Sequence, residues 1–222
     1  MHAKRSLFEG TQRALNSVLE LVYPPHCSVC GTPLSGGLLC SSCALDLGPL
    51  PAVRTLPATG ALDGGRGFGR YEERKPLAVL IQKLKYRGDG ALVDLLGPLL
   101  LDASRSLPRA NAVTFVPLHK KRRRKRGFNQ AQLLAQFVAE ASSLPLLSLL
   151  RKTRRTAPQA SLNRARRVTN VERAFVALPT SLSSVWLVDD VSTTGATLNA
   201  CAAALKRAGV RRVAALVLAV AT

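Results

Sequence analysis

Two groups of residues in this sequence are spaced for chemistry. The first follows the apolar run Val185-Trp186-Leu187-Val188: Asp189 and Asp190, then Ser192, Thr193, Thr194, Gly195, Ala196 and Thr197. Beyond them Leu198, Cys201, Ala202 and Leu205 recur at helical spacing. A strand, an acidic pair, a hydroxyl-and-glycine turn and a helix start is an arrangement suited to an anion. The first backbone N–H groups of a helix lack internal partners and its dipole favours negative charge. Gly195 allows close backbone approach, and Thr193, Thr194 and Thr197 add hydroxyl donors, so the turn reads as a cradle for a phosphate monoester. Carboxylates beside it can accept from sugar hydroxyls or help to hold Mg²⁺. A phosphate next to a diol-and-metal site describes a ribose 5-phosphate. A bare helix cap is the plain alternative, and it leaves two adjacent carboxylates repelling each other with nothing to pack.

The second group is Cys27-x₂-Cys30 and, further on, Cys40-x₂-Cys43. Two paired thiol turns are the layout of a tetrahedral Cys₄ metal site. Disulfides suit an oxidising compartment, and a redox CxxC has no need of a duplicate. Zinc is favoured, although spacing does not separate it from iron in a rubredoxin-like site. His26 adjoins Cys27 and reads as a bystander, while the fifth cysteine, Cys201, falls on an apolar helix face. So short a stretch buries little surface, and the metal is expected to do much of its folding.

These groups need scaffolding. Residues 6–22 read as an amphipathic helix ended by Pro24-Pro25, and residues 48–66, rich in Pro, Gly and Ala, as a linker, with an edge strand near Phe68–Tyr71. Pro76, Leu77, Leu80, Ile81 and Leu84 predict a helix broken at Lys85-Tyr86-Arg87-Gly88-Asp89. A second helix over 91–104 buries Leu92, Leu95, Leu96 and Leu99. Residues 112–116 predict a short buried strand stopped by Pro117. A basic loop follows, Leu118-His119 and then seven consecutive basic residues, Lys120 to Arg126, before Gly127-Phe128-Asn129-Gln130. A helix over 129–141 then turns Leu133, Leu134, Phe137 and Val138 inward. Repeated strand–loop–helix units imply a parallel sheet flanked by helices, an α/β fold with ligands at the carboxyl ends of its strands. Both anion-attracting loops then share one sheet edge.

The chain has 222 residues, 47% of them hydrophobic, enough for one packed domain with a small appendage. Its longest apolar run, Val213 to Ala221, is too short to span a membrane. Glu9, Asn16 and Glu20 interrupt what a signal-peptide core would need, so a cytoplasmic chain is expected. The formal net charge is +19, and +13 of it lies between Lys120 and Arg173. Such a field draws pyrophosphate, nucleic acid or both. Residues 151–175, basic and poor in apolar side chains, suit a mobile lid, a nucleic-acid contact or a solvated loop equally well. Phe175 is the one aromatic residue there able to stack a base, which weakens sequence-specific reading of single strands.

The segment from Val185 to Thr197 resembles the ribose-phosphate signature of the type I phosphoribosyltransferases. Over nearly the whole chain the pattern resembles the ComF family of competence-associated, phosphoribosyltransferase-like proteins, which includes GntX-like members. The matching pieces are the four cysteines, Lys85-Tyr86-x-Gly88-Asp89, Val116-Pro117-Leu118, Arg126-Gly127-Phe128-Asn129-Gln130, Gln159, Arg167, Asn170-Val171, Ala174-Phe175 and the Asp-Asp/Thr-Gly-x-Thr segment. The resemblance implies a type I phosphoribosyltransferase-like sheet over 56–222 behind a zinc module over 1–55. It implies a site for phosphoribosyl pyrophosphate (PRPP) with Mg²⁺, in which Asp189 and Asp190 contact the ribose hydroxyls and residues 192–197 wrap the 5′-phosphate. Leu118, His119, Arg126, Gly127 and Asn129 would form the pyrophosphate loop, although the density of basic residues at 120–126 departs from the pattern. A role in DNA uptake and natural transformation follows, with DNA, single-stranded, held along 120–173 and contacts with other uptake proteins. Transferase chemistry on a nucleobase or amine, and a zinc-ribbon nucleic-acid binder with a vestigial sugar-phosphate site, stay open as alternatives.

Overall fold

The computed structural model describes residues 24–48, 53–153 and 174–221. They fall into two compact units that divide between Leu47 and Gly48. The helix expected over 6–22 lies outside the described residues, as does the greater part of the basic stretch at 151–175. Among the described residues no helix is long and apolar enough to cross a membrane.

The first unit is a pair of turns and a helix, α1 (Ser41–Leu47). Its backbone is tied by the Cys27 N–H donating to Thr32 O at 2.8 Å and the Ser28 N–H donating to Leu38 O at 2.8 Å.

The second unit is built on a sheet of β1 (Arg54–Leu56), β2 (Gly65–Arg70), β3 (Ala112–Phe115), β6 (Ser184–Ser192) and β7 (Arg212–Val220), in the order β1-β2-β7-β6-β3. All neighbours are parallel except β1, which runs antiparallel to β2 at the edge. The helices are α2 (Pro76–Arg87), α3 (Gly90–Ser104), α4 (Lys120–Arg126), α5 (Gln130–Ala141) and α6 (Ala196–Arg207). A separate antiparallel pair, β4 (Leu150–Lys152) with β5 (Phe175–Ala177), brackets the basic stretch. The class read from the sequence is therefore the one found: a mostly parallel sheet flanked by helices, with a small N-terminal cysteine module.

The core follows strand alternation. Val185 and Leu187 of β6 and Val213, Ala215 and Val217 of β7 pack against Leu198, Cys201, Ala202 and Leu205 of α6, all buried. On the other sides, α3 packs on β2 and α5, and α5 packs on β3 and β6. Asp63 fastens β7 from the turn before β2: it accepts from the Val213 N–H and from Lys206 Nζ, both at 2.8 Å.

Several local expectations need correction. The supposed linker contains β1, because residues 54–56 find an edge partner in β2. The helix from Pro76 does not break at Lys85; it continues to Arg87 and ends at Gly88, whose φ of 61° is left-handed. Leu95, Leu133 and Phe137 are half-buried rather than fully inward. The basic loop is a short helix, α4: His119 caps it, its Nδ1 accepting from the Lys121 N–H at 3.2 Å, and Gly127 closes it at φ 83°. Those two caps close a seven-residue helix of like charges, about two turns long.

Candidate functional site

β6 outlasts its neighbour β3, whose ladder with it ends at the Phe115–Val188 pair, and keeps pairing with β7 through Ser192 and Val220. Asp189 and Asp190 therefore lie inside the strand, not beyond it, at the point where β6 loses one neighbour. β3 and β6 run parallel, so the turn at 193–195 and the segment after β3 leave the sheet at the same edge. The sequence expectation on that point holds.

Side chains alternate along a strand, so two adjacent aspartates leave opposite faces. Asp189 shares the face of Val185 and Leu187, toward α6. It is half-buried, and its Oδ1 accepts from the Asp190 N–H at 2.9 Å. Burial and the neighbouring Asp190 charge push its carboxyl well above the usual carboxylate range, against the pull of that N–H and of Lys85 and Lys152. Lys152, whose Nζ lies 5.0 Å from the Phe175 ring centroid, is itself lowered by burial. Cys201, fully buried behind this face, is raised by burial and by Asp189.

Asp190 is 5% exposed and faces α2 and α5. Its Oδ2 meets Lys85 Nζ at 3.0 Å and accepts from Gln130 Nε2 at 3.1 Å, while its Oδ1 accepts from the Val191 N–H at 2.8 Å. Arg126 donates in turn to Gln130 Oε1. The chain Arg126–Gln130–Asp190–Lys85 thus joins α4, α5, β6 and α2. Gly88 sets the approach of α2, since a Cβ there would stand 2.6 Å from the Phe128 ring. Asp190 is therefore a partnered carboxylate, not one of two acids left with nothing to pack as the plain helix-cap alternative has it. The roles of Lys85, Gln130 and Lys152 escaped the sequence reading, although Lys85 and Gln130 lie within segments it singled out.

The turn that follows leads directly into α6. Gly195 is the N-cap of α6 at φ 71° and brings no side-chain acceptor to its first turn; Thr194 Oγ1 stands 3.4 Å from the Ala196 N–H. Thr193, Thr194 and Thr197 are exposed, Gly195 and Ala196 half-exposed, and Ser192 is buried. Of the expected pyrophosphate residues, Leu118 and His119 are half-buried, and Gly127 is exposed. Asn129 is buried and bonded: its Oδ1 accepts from the Ala131 N–H at 3.1 Å and its Nδ2 donates to Val116 O at 3.0 Å, fixing α5 to the end of β3.

Asp190 offers no unengaged oxygen to Mg²⁺. Among the described residues Asp189 Oδ2 is the acid pair's one carboxylate oxygen without a protein bond, and one such oxygen does not make a protein-held Mg²⁺ site.

The cysteines do fit a metal. The sulfurs of Cys27, Cys30, Cys40 and Cys43 all lie within 4.8 Å of one another. Cys30 and Cys40 Sγ are 3.7 Å apart, close to the roughly 3.8 Å separation of two thiolates on a tetrahedral zinc with 2.3 Å bonds. Cys27 Sγ accepts from the Val29 and Cys40 N–H groups at 3.5 and 3.4 Å. Burial opposes its ionisation, but backbone N–H groups of Cys30, Cys40 and Val29 outweigh that and bring the thiol down to about 6. Burial and the other thiols push Cys43 up to about 12, the reluctance that a metal ion would relieve. His26 is exposed and outside the cluster.

No family model matches the chain. It is 32% identical to competence protein F of Haemophilus influenzae over 224 aligned positions, spanning 95% of this chain and 89% of that one. Its identity to DNA utilization protein YhgH of Escherichia coli K12 is 32% over 82% of this chain and 85% of that protein. Against competence protein ComFC of Bacillus subtilis the identity is 28%, over 87% and 76%. Among solved structures, the allosteric regulatory enzyme of purine biosynthesis shares 25% identity across 56% of this chain and 25% of that one, at a TM-score of 0.38, too loose to carry an argument.

Proposed function

Since the chain belongs to the competence protein F (ComF) family, we propose that it binds PRPP at the carboxyl edge of its sheet and acts on DNA during uptake. The observation that carries the ligand reading is the turn at 193–195, opening from a strand that bears Asp189 into a helix whose N-cap, Gly195, brings no side chain to its first N–H groups. The first N–H groups of α6 and the exposed Thr193, Thr194 and Thr197 suit a 5′-phosphate. Asp189 Oδ2, which has no protein partner among the described residues, would accept from a ribose hydroxyl. Gly127 and the backbone at Leu118 and His119, on the same edge, suit the pyrophosphate, whereas Asn129 is spent on holding α5. The Cys₄ cluster holds zinc as a structural ion.

DNA enters this reading through the charge of residues 120–173 and through the competence and DNA-utilization names of the relatives. PRPP would then be a bound signal or a substrate. Calorimetric titration with PRPP tests the site. Saturable binding is expected, weakened about tenfold or more by Asp189→Asn, the loss of one charge-assisted hydrogen bond. Binding that ignores this substitution moves the ligand away from β6.

A further inference from the structure

We infer that the two adjacent aspartates divide their work: Lys85 and Gln130 keep Asp190 as an internal anchor of the strand end, and Asp189 alone faces the ligand. This rests on the PRPP reading and deepens it.

Three observations carry it. The first is alternation: the pairing of β6 with β7 passes over Asp190 but keeps its register, Asp189 opposite Val217 and Val191 opposite Ala219, so the two acids leave opposite faces and one diol does not lie against both in the same way. The second is saturation. Asp190 is 5% exposed and has two partners on Oδ2 and one on Oδ1, whereas Asp189 has only its Oδ1 engaged among the described residues. The third is charge. The Lys85 ammonium sits 3.0 Å from Asp190 Oδ2, with the lysine side chain 26% exposed, so it fills the place that a cation would take on that face. A buried carboxylate with a lysine and an amide on it is compensated, and withdrawing either partner leaves an expensive charge. Lys85 is thus a positioning residue. It stands in the last turn of α2, shortly before Gly88, whose contact with Phe128 holds that helix end against the segment that carries Gln130.

The test has two arms on the full-length, zinc-loaded chain. The first is a thermal double-mutant cycle with Lys85→Met, Asp190→Asn and the two combined. Each single change should lower the melting temperature, and the pair should cost clearly less than their sum. Additive losses would mean that the ion pair does not form in solution and would overturn the inference.

The second arm titrates PRPP into the wild type, Asp189→Asn and Lys85→Met/Asp190→Asn. The double variant, which has lost both charges and kept its shape, should stay within about threefold of wild type while Asp189→Asn falls about tenfold or more. Lys85→Arg should behave as wild type. Equal losses in Asp189→Asn and in the double variant would show both carboxylates on the ligand and overturn the division. No PRPP binding by the wild type would remove the reading beneath it and take the ligand-facing half with it, while the first arm still decides the pairing.

Discussion

At the scale of single residues, Asp189 is the carboxyl that the fold holds at a cost. A carboxylate half-buried beside another charge is held well above the usual carboxylate range, with burial as the largest cause and Asp190 next. The folded protein therefore binds that proton more readily than the unfolded chain does. Stability contributed at this position falls as pH rises from the ordinary carboxylate value toward the raised one, and stays lost above it. Asp189→Asn should then raise the melting temperature of the ligand-free protein at pH 7 to 8. The gain should shrink and vanish as the pH drops below about 4, where both forms of the wild type carry the proton. Asparagine keeps an oxygen for the Asp190 N–H, so the backbone bond at 2.9 Å need not be lost. Melts in a pH series, run without PRPP, check this. A loss of stability at neutral pH would mean that Asp189 is a structural residue. Stabilised but poor at binding is the expected phenotype of a residue kept for a ligand.

Among the elements, the end of α2 governs how the site is assembled. Gly88 closes the helix at φ 61° and leaves room for the Phe128 ring. Gly88→Ala forces a side chain into both a left-handed conformation and an aromatic ring, and should destabilise the protein by about 1–3 kcal/mol in denaturant unfolding. An unchanged midpoint would mean that the two segments are not packed together. Elements of this kind show what could be read beforehand. The helices from Pro76, over 91–104, over 129–141 and from Ala196 were legible because apolar residues at helical spacing are a one-dimensional signal. The acid pair and turn were legible because their residue types suit an anion in any fold. The edge strand Arg54–Leu56 was not, since its sequence is set by having β2 as a partner rather than by its own pattern. Nor was α4: seven like charges argue against a helix until the His119 and Gly127 caps are counted. Lys85 on Asp190 joins residues far apart in the sequence, and nothing local to either announces the pair.

For the whole molecule, the decisive quantity is where the positive charge stands. A net +19 on 222 residues is a field rather than a set of contacts, and +13 of it belongs to residues 120–173. Lys120 to Lys125 of α4 are all exposed, and none of them takes part in an ion pair among the described residues. Helical geometry spreads them around one short turn-and-a-half, so only part of the set can meet a single strand of phosphates at once. If that surface holds DNA, affinity should come chiefly from released counterions, and log K should fall linearly with log salt by about 0.7 per phosphate on single strands. Six contacts would cost roughly 10²- to 10³-fold between 50 and 200 mM salt. Converting Arg122, Arg123, Arg124 and Lys125 to Gln should flatten the slope by about 0.7 for each residue that touched a phosphate, with similar losses on unrelated sequences. Fluorescence anisotropy of labelled oligonucleotides across a salt series measures both. A slope unchanged by the four substitutions would take α4 out of the interface, and a flat response in the wild type would take phosphate neutralisation out of DNA binding altogether.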